Sequence, residues 1–174
     1  LRRTARLVLS PGDVDALASR TEGWIAGLQM AALSMQRRDD LADFVHAFTG
    51  SHRYIIDYLV EEVFSQQPAA VQAFLLRTAI LDRMTAALCD AVTERQDSQA
   101  LLEQLEQENM FVVALDDERR WYRYHGLFRD VLRQRLLRSS PQLTPTLHTR
   151  ASAWYEERDL VAPAVDHALS AGNL

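Results

Sequence analysis

The apolar residues of this chain recur at intervals of three and four over most of its length, the spacing that places them on one face of an α-helix. Ser10, Pro11 and Gly12 lead into Asp13, Val14, Leu17 and Ala18, a capped helix start, and residues 1–10 before it read as the cut end of a preceding domain. Ile25, Leu28, Ala32 and Met35, widened by Trp24 and Ala31, predict a helix from Glu22 to Met35. Asp39 and Asp40 cap another, carried by Leu41, Phe44, Val45 and Phe48 and ended by Thr49, Gly50 and Ser51. Tyr54 to Phe64 is apolar on nearly every side except at Asp57, Glu61 and Glu62, which places it at the centre of a bundle until Gln66, Gln67 and Pro68 break the chain.

Pro68 suits the first turn of a new helix, which Val71, Phe74, Leu75 and Thr78 continue and Asp82 stops. A short helix follows near Thr85 to Val92, and Asp97 caps a third with Leu101, Leu102 and Leu105 inward, ended at Asn109. The period then changes to that of strands. Phe111 to Leu115 and Trp121 to Tyr124 read as two strands joined by a turn over Asp116 to Arg119. Three helices, a hairpin, and a helix from Leu127 to Leu137 with Phe128, Val131, Leu132 and Leu136 inward is the order of a winged-helix domain. Two helices close the chain, one striped by Leu147, Ala151, Trp154 and Tyr155, the other by Ala164, Val165, Ala168 and Leu169 and ended by Gly172 and Asn173.

The expected class is mainly α: a helical lid over 11–66, a winged helix over 67–138, a linker over 139–145 rich in Ser and Pro, and a tetratricopeptide-like helix pair over 146–174. A single such pair leaves one face unburied, so the native chain is expected to continue beyond it.

Composition narrows the partners. The net charge is −5 and all 19 basic residues are Arg, so counterion release at phosphates gives the chain as a whole little affinity for nucleic acid. The single Cys89, in an apolar context, excludes an intrachain disulfide and suits a reducing, cytoplasmic setting as a small buried hydrophobe. No apolar run reaches the roughly 20 residues that cross a bilayer, and no membrane partner is expected. His46, His52, His148 and His167 share no metal-ligand spacing, which makes them surface or structural residues, and no metal is expected. Trp24, Trp121 and Trp154 sit on apolar stripes as core residues.

Four segments carry a family resemblance in combination: Arg20-Thr21-Glu22-Gly23-Trp24-Ile25-Ala26-Gly27-Leu28-Gln29, Gly50-Ser51-His52-Arg53-Tyr54-Ile55, Phe74-Leu75-Leu76-Arg77-Thr78-Ala79-Ile80-Leu81, and Trp121-Tyr122-Arg123-Tyr124-His125. Together they resemble the MalT-like branch of LuxR-type transcriptional regulators, from about Leu9 onward. The resemblance implies a signal-transducing NTPase of the STAND class: a nucleotide-binding domain, a helical lid, a winged helix, a sensor of tetratricopeptide-like repeats and a C-terminal DNA-binding helix-turn-helix. This chain would supply the lid, the winged helix and the start of the sensor. It has no G-x-x-x-x-G-K-[ST] loop, so it is not expected to be an enzyme; the full-length protein would be a slow ATPase switch holding ATP or ADP, with no cofactor expected for this part alone. The implied partners are the nucleotide-binding domain of the same chain, a small-molecule inducer on the missing sensor, and DNA through the missing helix-turn-helix.

The resemblance also implies two nucleotide contacts. His125 matches a histidine that senses the β-phosphate of ADP at the start of the last winged-helix helix, where the helix dipole favours an anion, although Gly126 stands where an Asp often follows. Gln29, in Gly27-Leu28-Gln29, stands where the lid carries a Gly-x-Pro motif against adenine. A structural, hydrogen-bonded role is the alternative for His125.

Asp57, Glu61 and Glu62 form a solvated strip, not a catalytic pair. The Arg group at 119, 120, 123, 129, 133, 135 and 138 suits a phosphate, an acidic neighbouring domain or solvent. Two other readings stand beside the switch: a passive helical interaction scaffold, and a DNA-binding winged helix. The second is opposed by the would-be recognition helix from Asp97 to Glu108, which carries Asp97, Glu103, Glu106 and Glu108 and no Arg.

Overall fold

A computed structural model describes Gly12, Asp15, residues 59–108 and residues 110–172. The predicted helices over 22–35 and 39–48, with Trp24 and Gln29, lie outside the described residues. The first continuous element is a π-helical turn, Leu59–Phe64, closed by a bond from Ser65 N–H to the Val60 carbonyl at 2.8 Å. Six α-helices and two strands follow: α1 Ala69–Thr78, α2 Ala86–Thr93, α3 Ser98–Gln107, β1 Val112–Ala114, β2 Tyr122–Tyr124, α4 Gly126–Ser139, α5 Thr144–Glu156 and α6 Val161–Ala171. This is the mainly helical winged-helix order that the periodicity predicts.

Each boundary has a local cause. Pro68 caps α1 with its carbonyl, which accepts from Val71 N–H at 2.9 Å and Gln72 N–H at 3.0 Å. Thr85 caps α2 with its hydroxyl, 3.1 Å from Leu88 N–H. Asp97 is the cap residue of α3 as expected, its carbonyl accepting from Leu101 N–H at 3.2 Å, but its side chain makes no capping bond. Its carboxylate is taken by Arg95 at 2.6 and 2.7 Å, and Asp90 supplies the acceptor for Ser98 N–H at 3.1 Å. The Ser-Pro stretch after α4 is a single 3-10 turn, Pro141–Leu143, that runs directly into α5. Gly172 ends α6 at φ 75°, a left-handed turn that L side chains resist.

The sheet has one more member than the sequence suggests. Val112, Val113 and Ala114 pair antiparallel with Tyr124, Arg123 and Tyr122, and on the far side of β2 Met84 exchanges both backbone bonds with Tyr122 at 2.8 Å. A single residue between α1 and α2 thus forms the third strand position, too short to give an alternating pattern. Alternation along β2 turns Tyr122 and Tyr124 inward, where both are buried, and turns Trp121 outward. Trp121 is therefore only half-buried, not the core residue expected.

One apolar core runs through these elements, from Phe64, Phe74 and Leu75 through Leu88, Leu102 and Tyr122 to Phe128 and Leu132, and on into Leu147 and Ala151 of α5. Cys89 lies inside it, and burial pushes its thiol pKa up, which keeps the sulfur protonated and unreactive. Trp154 is buried as predicted. Helix α6 contributes least: Ala164 is buried, while Val165 and Leu169, one residue round the helix from the seam, are about half exposed at 48% and 50%.

Candidate functional site

His125 is held where β2 becomes α4. Its backbone N–H extends the strand ladder by donating to the Phe111 carbonyl at 2.7 Å, and its own carbonyl accepts from Arg129 N–H at 3.0 Å as the first helical bond of α4. It thus occupies the cap position of α4, with φ −57° and ψ 137°. Arg138 in the last turn suits the negative end of the helix dipole, and with no acidic residue in the first turn the positive end is left unneutralised by the helix's own side chains.

The imidazole is buried, at 7% exposure. Phe111 meets it edge-on with ring centroids 6.0 Å apart, and Phe111 packs in turn against Phe128 in a tilted pair at 5.1 Å. Phe111 adopts φ 59°, a strained conformation for an aromatic residue, and these two ring contacts together with the bond to His125 hold it there. Arg123, on the opposite face of β2, folds back to donate to the Tyr124 carbonyl at 3.2 Å.

Tyr124 fixes the strand from beneath. Thr78 donates its only hydroxyl proton to the Phe74 carbonyl at 2.8 Å, so the 2.6 Å contact between Thr78 Oγ1 and Tyr124 Oη has Tyr124 as the donor. Burial raises the Tyr124 phenol pKa and keeps that proton in place. Helix α1 thereby holds the residue next to His125 in the core.

Helix α4 is tied to the end of α1 by side chains whose pairing the sequence did not reveal. Arg133 donates from Nε to the Ala79 carbonyl at 2.7 Å, and from one terminal nitrogen to the Ile80 carbonyl at 3.1 Å and Asp82 at 3.0 Å; Arg129 meets the same carboxylate at 3.0 Å. Arg135 lies over the Phe64 ring at 4.7 Å. Arg129, Arg133 and Arg135 of this group are thus engaged within the fold, while Arg119, Arg120 and Arg138 are exposed. Between them the first three cap carbonyls and pack on an aromatic ring, which a linear charge pattern cannot show. Arg150 of α5 acts in the same way on α2, reaching the Val92 carbonyl at 3.1 Å and Glu94 at 2.8 Å.

His148 and His167 are half-buried and touch each other, a structural arrangement; His46 and His52 lie outside the described residues. Among the described residues no group of three His, Cys, Asp or Glu side chains is placed to hold a metal ion, and no helix is long and apolar enough to cross a membrane. Gln29 lies outside the described residues, so only the His125 half of the expected nucleotide contact can be placed.

Comparison with known proteins supplies the family. The MalT winged helix domain matches residues 60–144. The chain is 35% identical over 167 residues to the serine/threonine-protein kinase PknK of Mycobacterium tuberculosis, which covers 96% of the chain and 15% of the kinase. It is also 35% identical over 170 residues to the HTH-type transcriptional regulator MalT of Yersinia pestis, covering 95% of the chain and 19% of the regulator. The chain thus spans under a fifth of the length of these relatives. Residues 60–144, with helices α1 to α4, paired strands and His125 at the head of α4, are a MalT winged helix domain, and the chain is a MalT-like segment.

Proposed function

We propose that this segment is the regulatory middle of a nucleotide-dependent transcription activator, in which His125 senses the phosphate of a bound ADP and passes the state of the nucleotide through the winged helix to the sensor and output domains. The observation that carries this reading is the placement of His125: a histidine at the positive end of a helix, set by two backbone bonds and locked between an aromatic ring and the core. The nucleotide itself would be held by an NTPase core elsewhere in the protein, and Gln29 of the lid would meet its adenine. ATP and ADP are the cofactors proposed for the full-length protein, which would turn over slowly as a switch.

The relatives favour a regulatory role over an output role. Proteins named as a kinase and as a transcriptional regulator share this segment at the same identity, which fits a module that controls an output domain and does not itself perform the chemistry. The DNA-binding alternative meets an obstacle on α3, whose exposed side carries Gln99, Gln104 and Gln107, with Glu103 beside them and Glu108 at its end, and no cation to meet phosphates. DNA contact is proposed for a helix-turn-helix elsewhere in the protein, and a small-molecule inducer would act on further sensor repeats. The passive scaffold remains the rival, and it differs in giving His125 no effect on nucleotide.

The nucleotide that co-purifies with the full-length protein separates these readings. The switch reading expects wild type to retain ADP and His125→Ala to lose it or hold ATP, with activation no longer requiring inducer. The same nucleotide in both, with equal responses, would make His125 structural.

A further inference from the structure

Where the α5–α6 pair faces the winged helix, a cleft of about 370 Å³ is lined by Asp82 and Arg133 from one side and by His148, Asp166, His167 and Ser170 from the other. Within it His148 Nδ1 and His167 Nδ1 stand 2.8 Å apart, with ring centroids at 5.0 Å. His167 also stacks on Tyr155 at 5.6 Å with an interplanar angle of 17°. A contact of this length between two ring nitrogens needs one proton between them: one Nδ1 donates, the other accepts.

We propose that the His148–His167 contact is a proton-controlled latch, which holds α6 against α5 while the two rings share a single Nδ1 proton and releases α6 as the pair takes up more. In the neutral pair the donor ring carries its proton on Nδ1 and the acceptor ring carries its own on Nε2. A first added proton goes to Nε2 of the donor ring and leaves the bond intact. A second has only the accepting Nδ1 to occupy, and there it sets two N–H donors against each other at hydrogen-bond distance. The latch then opens.

The surroundings set the direction. Burial is the largest cause lowering both imidazoles, and Arg133 on α4 lowers both further. The neighbouring imidazole adds to the lowering of His148, which falls from 6.5 to about 4. Asp82 and Asp166 oppose this at His167, which is still lowered overall. Asp82 is shared by Arg129 and Arg133 at 3.0 Å each, so its charge is already committed. Tyr155, the remaining titratable group against the pair, is itself raised chiefly by burial and stays neutral. With pKa values depressed in the closed form, closure has its full stability above 6.5 and loses it as pH falls from there towards about 4, because the released form binds protons that the closed form refuses.

Amide hydrogen exchange of the chain between about pH 7 and about pH 5, either side of the ordinary imidazole value and corrected for intrinsic rates, tests this. Protection in α6 is expected to fall about tenfold in wild type, the equivalent of one pKa unit of linkage, while α1 and α4 keep theirs. In His148→Gln and His167→Gln the α6 fall is expected to shrink, and in the double variant to disappear. An equal fall in wild type and variants, or none in wild type, would overturn the latch. Titration of the imidazole ring protons in wild type gives a check that needs no variant: both rings must titrate below the ordinary value, and a ring titrating at or above it refutes the proposal.

Discussion

The winged helix and the helix pair that follows it are built of similar residues but close in different ways. In the winged helix the large side chains have partners all round: Phe64, Phe74, Tyr122, Tyr124 and Phe128 are each at most 1% exposed, and Arg133 caps the free carbonyls where α1 ends. In the pair, α5 is buried by Leu147, Ala151, Trp154 and Tyr155, whereas α6 buries Ala164 and leaves Val161 at 69% and Leu169 at 50% exposure. In the winged helix, a histidine packed among such side chains is held in one position, although the same domain exposes Val113, Leu115 and Leu137 at its surface. A helix closed on one side can respond to what meets the other. The two regions thus differ in enclosure: His125 is buried, and α6 keeps an exposed apolar face.

The largest effect should come from breaking the closed part. Phe128→Ala empties a fully buried position that meets both Phe111 and Tyr124, and should cost about 3 to 5 kcal/mol in denaturant unfolding. Arg133→Met keeps the stem but removes three polar contacts to the α1 end, with an expected loss of about 1 to 2 kcal/mol by the same measurement. Tyr124→Phe removes one buried hydrogen bond while Thr78 keeps its bond to Phe74, and should cost about 1 kcal/mol. Leu169→Ser, on the open face of α6, should change stability by less than about 0.5 kcal/mol. A large effect there would show that α6 is closed by something in solution and would remove the contrast.

The contrast also shows what was legible in the sequence. Both strands and the inward residues of α1, α3, α4 and α5 could be read directly, because burial repeats at the period of the element, whereas in the last stripe Val165 and Leu169 are exposed. Met84 could not, since a strand position of one residue has no period. Asp97 caps α3 as its propensity indicates, but with its backbone alone, because Arg95, two positions away, takes its carboxylate. Trp121 was assigned to the core by its size, and the alternation of β2 overrides size. In the site, His125 was found through resemblance and its place at a helix start, while Phe111, Arg133 and the His148–His167 pair emerge only from packing between distant segments.

The proposed switch requires His125 to distinguish nucleotide states. Its most direct test is the ratio of ADP to ATP affinity of the full-length protein, compared between wild type and His125→Gln. A histidine that contacts the ADP phosphate from a helix N-terminus predicts a loss of ADP affinity of about tenfold or more, the scale of one charge-assisted hydrogen bond, with ATP affinity little changed. An unchanged ratio in a stably folded variant would contradict it and leave His125 as the residue that fastens β2 to α4.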